Sequence, residues 1–354
     1  MVVMSVDKSV LLLGGSWFFG VHLAEEAQEQ GAEVTTFRRG ISGRDVDGVR
    51  TVRGDKTNPD DLKRLAAHGP WDLVVDSIGF VPREVLAMAR ALEPVANRYV
   101  FISSVSAYEG WPTEPLTEAS AVLECPADAG PDYGVDRDPG PTKYGFTKAG
   151  CERAVLQTFG TDRTTIIRPG VILGPHEYVG RLPWWLRRFE RGGRVLAPGN
   201  PDRSIQPIDV RDVAAFALHC GTAAVSGTFN ATGTGEATFG TFLRACADVT
   251  KSAAAVSWAD EEFLVQQGVR QWEELPLWRT YAGAWDVDAT NARAHGLVTR
   301  PLEETVRDTW QWLNTGHMIE HERAAELGIA PEREQQILRA WDDYRKSSPV
   351  PIES

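Results

Sequence analysis

Cysteine is scarce in this chain: the four that occur, Cys125, Cys151, Cys220 and Cys246, lie far apart with no CxxC pair. That spacing excludes a disulfide framework and offers no zinc set, so no metal and a reducing compartment are expected. Long apolar runs are also missing. The most extended early one, Ser9 to Gly20, is too short to span a bilayer and carries no small-residue cleavage site, so a cytoplasmic protein without a membrane partner is expected. Basic charge is in deficit: Lys plus Arg number 37 against 49 Asp plus Glu, a net charge of −12. Broad electrostatic binding to nucleic acid or anionic lipid is thereby disfavoured. The 33 glycines and 21 prolines are too scattered for a collagenous or low-complexity chain. No repeat recurs at a period of roughly 20 to 50 residues, which excludes solenoids and propellers.

What remains is an ordinary globular composition over 354 residues, about twice the common domain length, enough for two domains or for one domain and a lobe. From Ser9 onward short β-type runs alternate with helical spacing. Val10 to Leu13, Glu33 to Phe37, Val49 to Val52, Leu73 to Val75, Tyr99 to Ile102 and Thr165 to Ile167 read as strands. Val21 to Gln30 and Pro82 to Leu92 read as helices between them. Such βαβ alternation predicts a parallel sheet covered by helices. Gly110 to Pro141, rich in Pro, Gly and acidic residues, reads as a long surface loop of the kind that is often functional. Beyond Gly170 the rhythm weakens, and Pro183 to Arg191, Asp209 to His219 and Phe239 to Asp248 look like helices of a smaller lobe. In the charged tail, Ile337, Leu338 and Trp341 share one face of a helix that could begin at Pro331.

The first strand runs straight into Gly14-Gly15-Ser16-Trp17-Phe18-Phe19-Gly20 and then a helix. A glycine turn there lets backbone amides approach a pyrophosphate at a helix N-terminus, although a purely structural turn would leave the same trace. Trp17 stands where the dinucleotide pattern usually has its middle glycine. The second strand ends in Arg38-Arg39 instead of an acidic residue, which favours the 2′-phosphate of NADP over the ribose diol of NAD; a solvated surface pair is the plain alternative. After the third strand, Asp55 of Gly54-Asp55-Lys56 could meet an adenine amino group or simply make a turn.

The fifth strand ends in Ser103-Ser104-Val105-Ser106-Ala107-Tyr108, and further on comes Tyr144-Gly145-Phe146-Thr147-Lys148. On a helix Tyr144 and Lys148 face the same way, one turn apart. A lysine so placed favours the phenolate and fits a tyrosine for proton transfer, and a serine hydroxyl can polarise a carbonyl beside it. Taken singly, such a pair is a half-buried ring beside a solvated amine. In this order, after a glycine turn, it points to a catalytic set. His22, His68, His219 and His295 have no partner pattern and read as surface or packing residues.

With GGSWFFG, FISSVSAY, YGFTK, IIRPGVILGP (Ile166 to Pro175) and RSIQPIDVRDVA (Arg203 to Ala214), the chain resembles the short-chain dehydrogenase/reductase superfamily over roughly Val10 to Leu313. The resemblance is to its extended and atypical branch, the NAD-dependent epimerase/dehydratase family. The first motif is similar to the GGTxFxG turn of atypical members, which include reductases and chloroplast RNA-binding relatives. The resemblance implies a Rossmann doubly wound parallel sheet with a smaller C-terminal substrate-binding lobe. Residues 1–170 would form the dinucleotide-binding domain, its sheet completed by later strands; 171–314 would be mainly the substrate lobe and 315–354 a helical tail.

Carried onto this sequence, the catalytic serine, tyrosine and lysine fall on Ser104, Tyr144 and Lys148, with Ser103 one position early. The cofactor would be held by Gly14, Ser16, Trp17, Phe18, Phe19, Gly20, Arg38, Arg39, Asp55 and Lys56, by Ser77, Ile78 and Gly79 beside the adenosine ribose, by Lys148 at the nicotinamide ribose, and by Pro169, Gly170 and Val171 near the nicotinamide. Tyr178, Arg181 and Trp184, with His176 and Trp185, follow the segment that enters the substrate lobe in the family. An aromatic wall would suit a planar or apolar ligand, while tryptophans at helical spacing are also ordinary core. Ser106 is a further substrate candidate, and Arg203 resembles an arginine that extended members place on a nucleotide diphosphate. Where related sugar-nucleotide dehydratases carry Thr-Asp-Glu, this chain has Ser104-Val105-Ser106, so a dehydratase is set aside for want of an acid and base. The expectation is an NADP(H)-dependent oxidoreductase of carbonyl reductase or alcohol dehydrogenase type acting on a small molecule, with NAD(H) as the second cofactor. A nucleotide-sugar epimerase with tightly held NAD is the alternative, and a non-catalytic RNA- or partner-binding relative the third reading. The resemblance also implies a homodimer, paired through the helices near Pro82 to Leu92 and Tyr144 to Thr158.

Overall fold

The computed structural model describes residues 8–41, 45–315 and 326–347. The chain divides into two compact units. Unit 1 takes Met1–Ile172, Gln206–Thr234 and Tyr281–Arg300; unit 2 takes Leu173–Ile205, Gly235–Thr280 and Pro301–Ser354.

In unit 1 the apolar runs form strands β1 (Ser9–Leu13), β2 (Glu33–Arg38), β3 (Arg50–Arg53), β4 (Trp71–Asp76), β5 (Ala96–Ile102) and β6 (Thr164–Pro169). A seventh, later strand of this sheet, Gly227–Ala231, is β10, after β7 (Ile172–Leu173), β8 (Arg194–Pro198) and β9 (Ile208–Asp209) in chain order. The sheet runs β10-β6-β5-β4-β1-β2-β3 with every pair parallel. This is the parallel sheet that the alternation predicted and the doubly wound Rossmann arrangement that the resemblance implied, its order reversing between β1 and β4, where such folds place a ligand crevice. Helices α1 (Phe18–Glu29), α2 (Pro59–Ala66), α3 (Pro82–Leu92), α4 (Lys143–Phe159) and, later in the chain, α6 (Val210–Thr222) cover it, α6 following unit 2's α5 (Arg181–Glu190). α1 packs beside α6, while α2, α3 and α4 pack in a row. Leu11, Leu13, Val74, Tyr99 and Phe101 of the strands are fully buried against Leu65, Val85, Met88 and Val155 of that row, the two-sided burial that makes parallel strands almost wholly apolar.

The stretch read as a long surface loop, Gly110 to Pro141, has neither helix nor regular strand, but it is not simply superficial. Leu116, Leu123 and Cys125 are buried, and Leu116 bridges to Val287. Glu118 from this stretch accepts the Asn230 N–H of β10 at 3.0 Å, which closes part of that strand's free edge.

Unit 2 contains α5, α7 (Phe239–Thr250) and the parallel pair of β8 with β11 (Ala255–Ala259), then α8 (Glu261–Gln266), with α9 (Thr290–Ala294) lying back in unit 1. α10 (Leu302–Leu313) packs on α5 and α7. The last helix, α11, runs Pro331–Ser347 and buries Ile337, Leu338 and Trp341. Its Glu334 carboxylate accepts both from Arg188 Nε, at 2.9 and 2.8 Å, and from the Leu196 N–H at 3.0 Å, fixing α11 against α5 and β8. The remainder of the expected tail, 316–325 and 348–354, lies outside the described residues. No described helix is long and apolar enough to cross a membrane.

Candidate active site

The glycine turn sits between β1 and α1. Gly14 and Gly15 take φ of 110° and 111°, a region closed to side chains. A Cβ on Gly20 would fall 2.5 Å from the Gly15 nitrogen, and one on Gly15 would fall 2.5 Å from Thr36 Cγ2, so the turn is pressed onto both α1 and β2. Trp17 is the N-cap of α1 in extended conformation, gives no side-chain cap, and no acidic residue follows in the first turn. The positive end of α1 is therefore left to its backbone amides beside Ser16, Phe18 and Phe19, an arrangement suited to a diphosphate. The residues present fit a dinucleotide.

Around this turn Ser77 Oγ donates to the Leu13 carbonyl at 2.9 Å, and Ile78 N–H donates to Asp76 Oδ1 at 2.9 Å. Lys56 Nζ crosses to the Ile78 carbonyl at 2.7 Å and to Glu84 at 3.2 Å, so it braces the loop after β4. Asp55 Oδ1 accepts from the Thr57 N–H and hydroxyl at 2.9 and 2.8 Å, bonds that hold its carboxyl below the usual range and shape a local turn. Arg38, at the end of β2, is buried and ion-paired with Asp45, whereas Arg39 is exposed. Past β6, Gly170 N–H donates to the Ala231 carbonyl at 3.0 Å and Val171 accepts from Ile208 N–H at 2.9 Å, which fixes the Pro169–Val171 turn.

Ser104 follows β5 and caps the short 3-10 turn Val105–Ala107, its Oγ accepting the Ser106 N–H at 3.1 Å. Ser103 is buried, and its hydroxyl donates to Glu152 Oε1, which also accepts from Arg168 Nε at 2.8 Å; Arg168 Nη2 donates to Oε2 at 2.5 Å. That closed network leaves Ser104 as the serine on the accessible side. Tyr144 lies in the first turn of α4, which Thr142 caps by accepting the Gly145 N–H at 3.2 Å, and its ring is 43% exposed. Lys148 is 2% exposed. Its Nζ donates to the Ile102 carbonyl at 2.7 Å and the Gly79 carbonyl at 2.9 Å, and stands 6.0 Å from the Tyr144 ring centre and 4.9 Å from that of Phe80. Burial pushes this ammonium below the ordinary lysine range. Thus the lysine ties the end of β5, two residues before Ser104, to the loop after β4. The sequence indicated Ser104, Tyr144 and Lys148 but not Gly145, Glu152 or the two carbonyls, because those act through distant partners.

In unit 2, Arg181 opens α5 with its guanidinium 5.3 Å from the Trp272 ring centre, and the buried Glu177 carboxylate accepts the Arg181 and Leu182 N–H groups at 2.9 and 3.2 Å. Burial outweighs those bonds and raises the Glu177 carboxyl to about 7. Tyr178 and Trp184 are partly exposed. Trp185 is instead fully buried, its Nε1 donating to the Pro276 carbonyl at 2.8 Å, and is core. The His176 ring lies tilted against Trp312, with ring centres 5.1 Å apart. Arg203 is ion-paired with Glu261, which also accepts from Trp278 Nε1 at 3.1 Å.

Among known proteins, the chloroplast stem-loop binding protein of 41 kDa b of Arabidopsis thaliana is 28% identical over 259 residues, covering 69% of this chain and 63% of that protein. The 2′-dehydrokanamycin reductase of Streptomyces kanamyceticus is 30% identical over 166 residues, covering 46% of this chain and 42% of the reductase. The chain therefore spans less than two thirds of the length of either relative. Among solved structures, the Bordetella bronchiseptica enzyme WbmG in complex with NAD and UDP superposes with a TM-score of 0.66 at 17% identity, over 89% of this chain and 100% of that one. UDP-glucose 4-epimerase of Thermotoga maritima with UDP-glucose gives 0.64 at 17% identity, over 87% and 99%. At these identities the structures speak for the fold. A sequence model of the NAD dependent epimerase/dehydratase family matches residues 10–231, from β1 to the end of β10, and the chain belongs to that family of extended short-chain dehydrogenase/reductase enzymes.

Proposed function

We propose that the protein is an NADP(H)-dependent oxidoreductase that interconverts a carbonyl and an alcohol on a small molecule. The observation that carries this reading is the Lys148 ammonium, held by the Ile102 and Gly79 carbonyls at 2.7 and 2.9 Å and standing 6.0 Å from the Tyr144 ring. When bound, the nicotinamide supplies or takes up hydride. Tyr144 gives the proton to the substrate oxygen in the reducing direction and removes it in the other. Ser104 Oγ already accepts from the Ser106 N–H, so its own hydrogen is left to donate to that oxygen. The ammonium of Lys148 favours the phenolate during transfer and would hold the nicotinamide ribose of a bound cofactor. Gly14 to Gly20 would hold the diphosphate, Ser77 to Gly79 the adenosine side, and Pro169 to Val171 the nicotinamide side. NADP over NAD rests on Arg38 and Arg39, and reduction over epimerisation rests on the similarity to a reductase. Ser106 of unit 1 and, separately, Tyr178, Arg181 and Trp184 of unit 2 are assigned to substrate selection, whereas Arg203 is engaged by Glu261.

The rival, a nucleotide-sugar epimerase with tightly held NAD, is favoured by the UDP-binding structural neighbours and opposed by the Arg203–Glu261 pair, which occupies the arginine a diphosphate would need. Mass spectrometry of nucleotide released on denaturation, followed by NADPH and NADH titration of the emptied protein, separates the two. Reversible binding with NADPH preferred supports the reductase, and a ketone screen then supplies a substrate; stoichiometric retained NAD sinks it in favour of the epimerase. With a substrate in hand, Tyr144→Phe should lower turnover at least ~100-fold while cofactor binding stays.

A further inference from the structure

At the outer end of the sheet, Arg38 of β2 and Arg53 of β3 are register partners, and their guanidinium groups converge on one carboxylate, Asp45. Asp45 Oδ1 accepts from Arg38 Nε at 2.9 Å and Thr51 Oγ1 at 3.0 Å, with Arg38 Nη2 also on Oδ1, and Oδ2 accepts from Arg53 Nη2 at 2.6 Å. The side-chain bond from Arg38 contributes most to holding this carboxyl below its usual range. The receptor faces the glycine turn. Thr36 lies directly on Gly15, 2.5 Å from where a Cβ would be, and strand alternation puts Arg38, two residues on, on the same face as Thr36. The Arg38 side chain is only 7% exposed whereas that of Asp45 is 47% exposed, so the carboxylate is the partner with room to leave.

Two guanidinium groups and a hydroxyl around one oxyanion make a site for a phosphate monoester as readily as for a carboxylate. We propose that Asp45 is a tethered stand-in for the 2′-phosphate of NADP(H), and that its competition for Arg38 and Arg53 determines how strongly the protein prefers NADP(H) to NAD(H). The proposal rests on the dinucleotide-binding reading above. A 2′-phosphate brings more charge than Asp45 and displaces it; a cofactor with a free 2′-hydroxyl has nothing with which to do so. The wild-type preference is accordingly blunted by the anion already in place.

The test is titration of emptied wild-type protein and of Asp45→Ala with NADPH and NADH, followed by fluorescence. The ratio of the two dissociation constants should move about tenfold toward NADPH in the variant, the scale of a charge-assisted hydrogen bond released for the phosphate. An unchanged ratio, or one moved toward NADH, would overturn the proposal and leave Asp45 as a structural clip between β2 and β3. Asp45→Asn, which keeps the shape and removes the charge, should shift the ratio in the same direction and serves if the alanine variant does not fold. Adenosine 2′,5′-bisphosphate against adenosine 5′-phosphate isolates the same site without the nicotinamide half. Should wild-type protein bind neither dinucleotide, the dinucleotide reading itself fails; binding of both with no response to Asp45 removes only this inference.

Discussion

Gly145 meets Ser106 so closely that a Cβ on the glycine would fall inside the contact radius of the Ser106 carbonyl oxygen. α4, which carries Tyr144 and Lys148, is thereby seated on the turn that begins at Ser104. Gly145→Ala must push α4 away or distort the turn. The expected result is a loss of about 1–3 kcal/mol in stability and a fall in kcat of about 100-fold from misplacement of the reacting groups. Denaturant unfolding and steady-state kinetics check it, and an alanine variant with parental stability and kcat would refute the close seating.

Lys148 presents its ammonium to two carbonyls in a buried site. Lys148→Met keeps the length of the side chain and removes the donor, leaving the Ile102 and Gly79 carbonyls without it. Turnover should fall beyond the reach of assay, and dinucleotide affinity should weaken about tenfold or more, in contrast to Tyr144→Phe. Parallel titrations of the two variants make the comparison.

Glu152 and Arg168 are 5% and 6% exposed in their side chains and form a two-pronged ion pair that also takes up Ser103. Removing one partner strands the other charge in the interior. Glu152→Ala should therefore cost about 3–5 kcal/mol in urea unfolding. Ser103→Ala should disturb stability far less and leave turnover within a few-fold of wild type, whereas Ser104→Ala should lose most of it.

Burial raises the Glu177 carboxyl to about 7 from 4.5. A carboxyl raised on folding binds more protons in the native state than in the unfolded chain, so its contribution is full below the unfolded value and is lost as pH rises toward 7. The loss across that window is about 3 kcal/mol. Glu177→Gln keeps an acceptor for the Arg181 and Leu182 N–H groups and should flatten this part of the curve. Urea unfolding at pH 5 and pH 8 of both proteins measures the difference; equal slopes would disprove it.

Six strands of the main sheet were legible in the sequence, the inner β1, β4, β5 and β6 because two-sided burial makes them short apolar runs, and the edge strand β3 only through its β-branched Thr51 and Val52, of which Val52 alone is buried. β10 was not: Gly227-Thr228-Phe229-Asn230-Ala231 has a glycine and an asparagine where a run would show, and its Asn230 is buried through bonds to Tyr108 Oη, the Asp288 carbonyl and Glu118. α2 was missed because only Leu62 and Leu65 of its eight residues are buried, too few for a period. Tyr144 and Lys148 could be paired because one helical turn joins them. Asp45, by contrast, is an acidic loop residue like many others until β2 and β3 bring Arg38 and Arg53 to it.

Unit 1 is assembled from three separate stretches of chain, the last ending at Arg300. Its edge strand β10 and the Val287–Asp288 segment that bonds to Leu116 and Asn230 come from the second and third of these. During synthesis, therefore, the sheet's first six strands emerge from the ribosome before the piece that closes the β6 edge, and β6 waits with open hydrogen-bonding groups while the first stretch of unit 2, Leu173–Ile205, is made. A gene fragment ended at residue 170 would keep the glycine turn, Ser104, Tyr144 and Lys148 but would present that edge permanently, making it a template for self-association instead of a working half-enzyme.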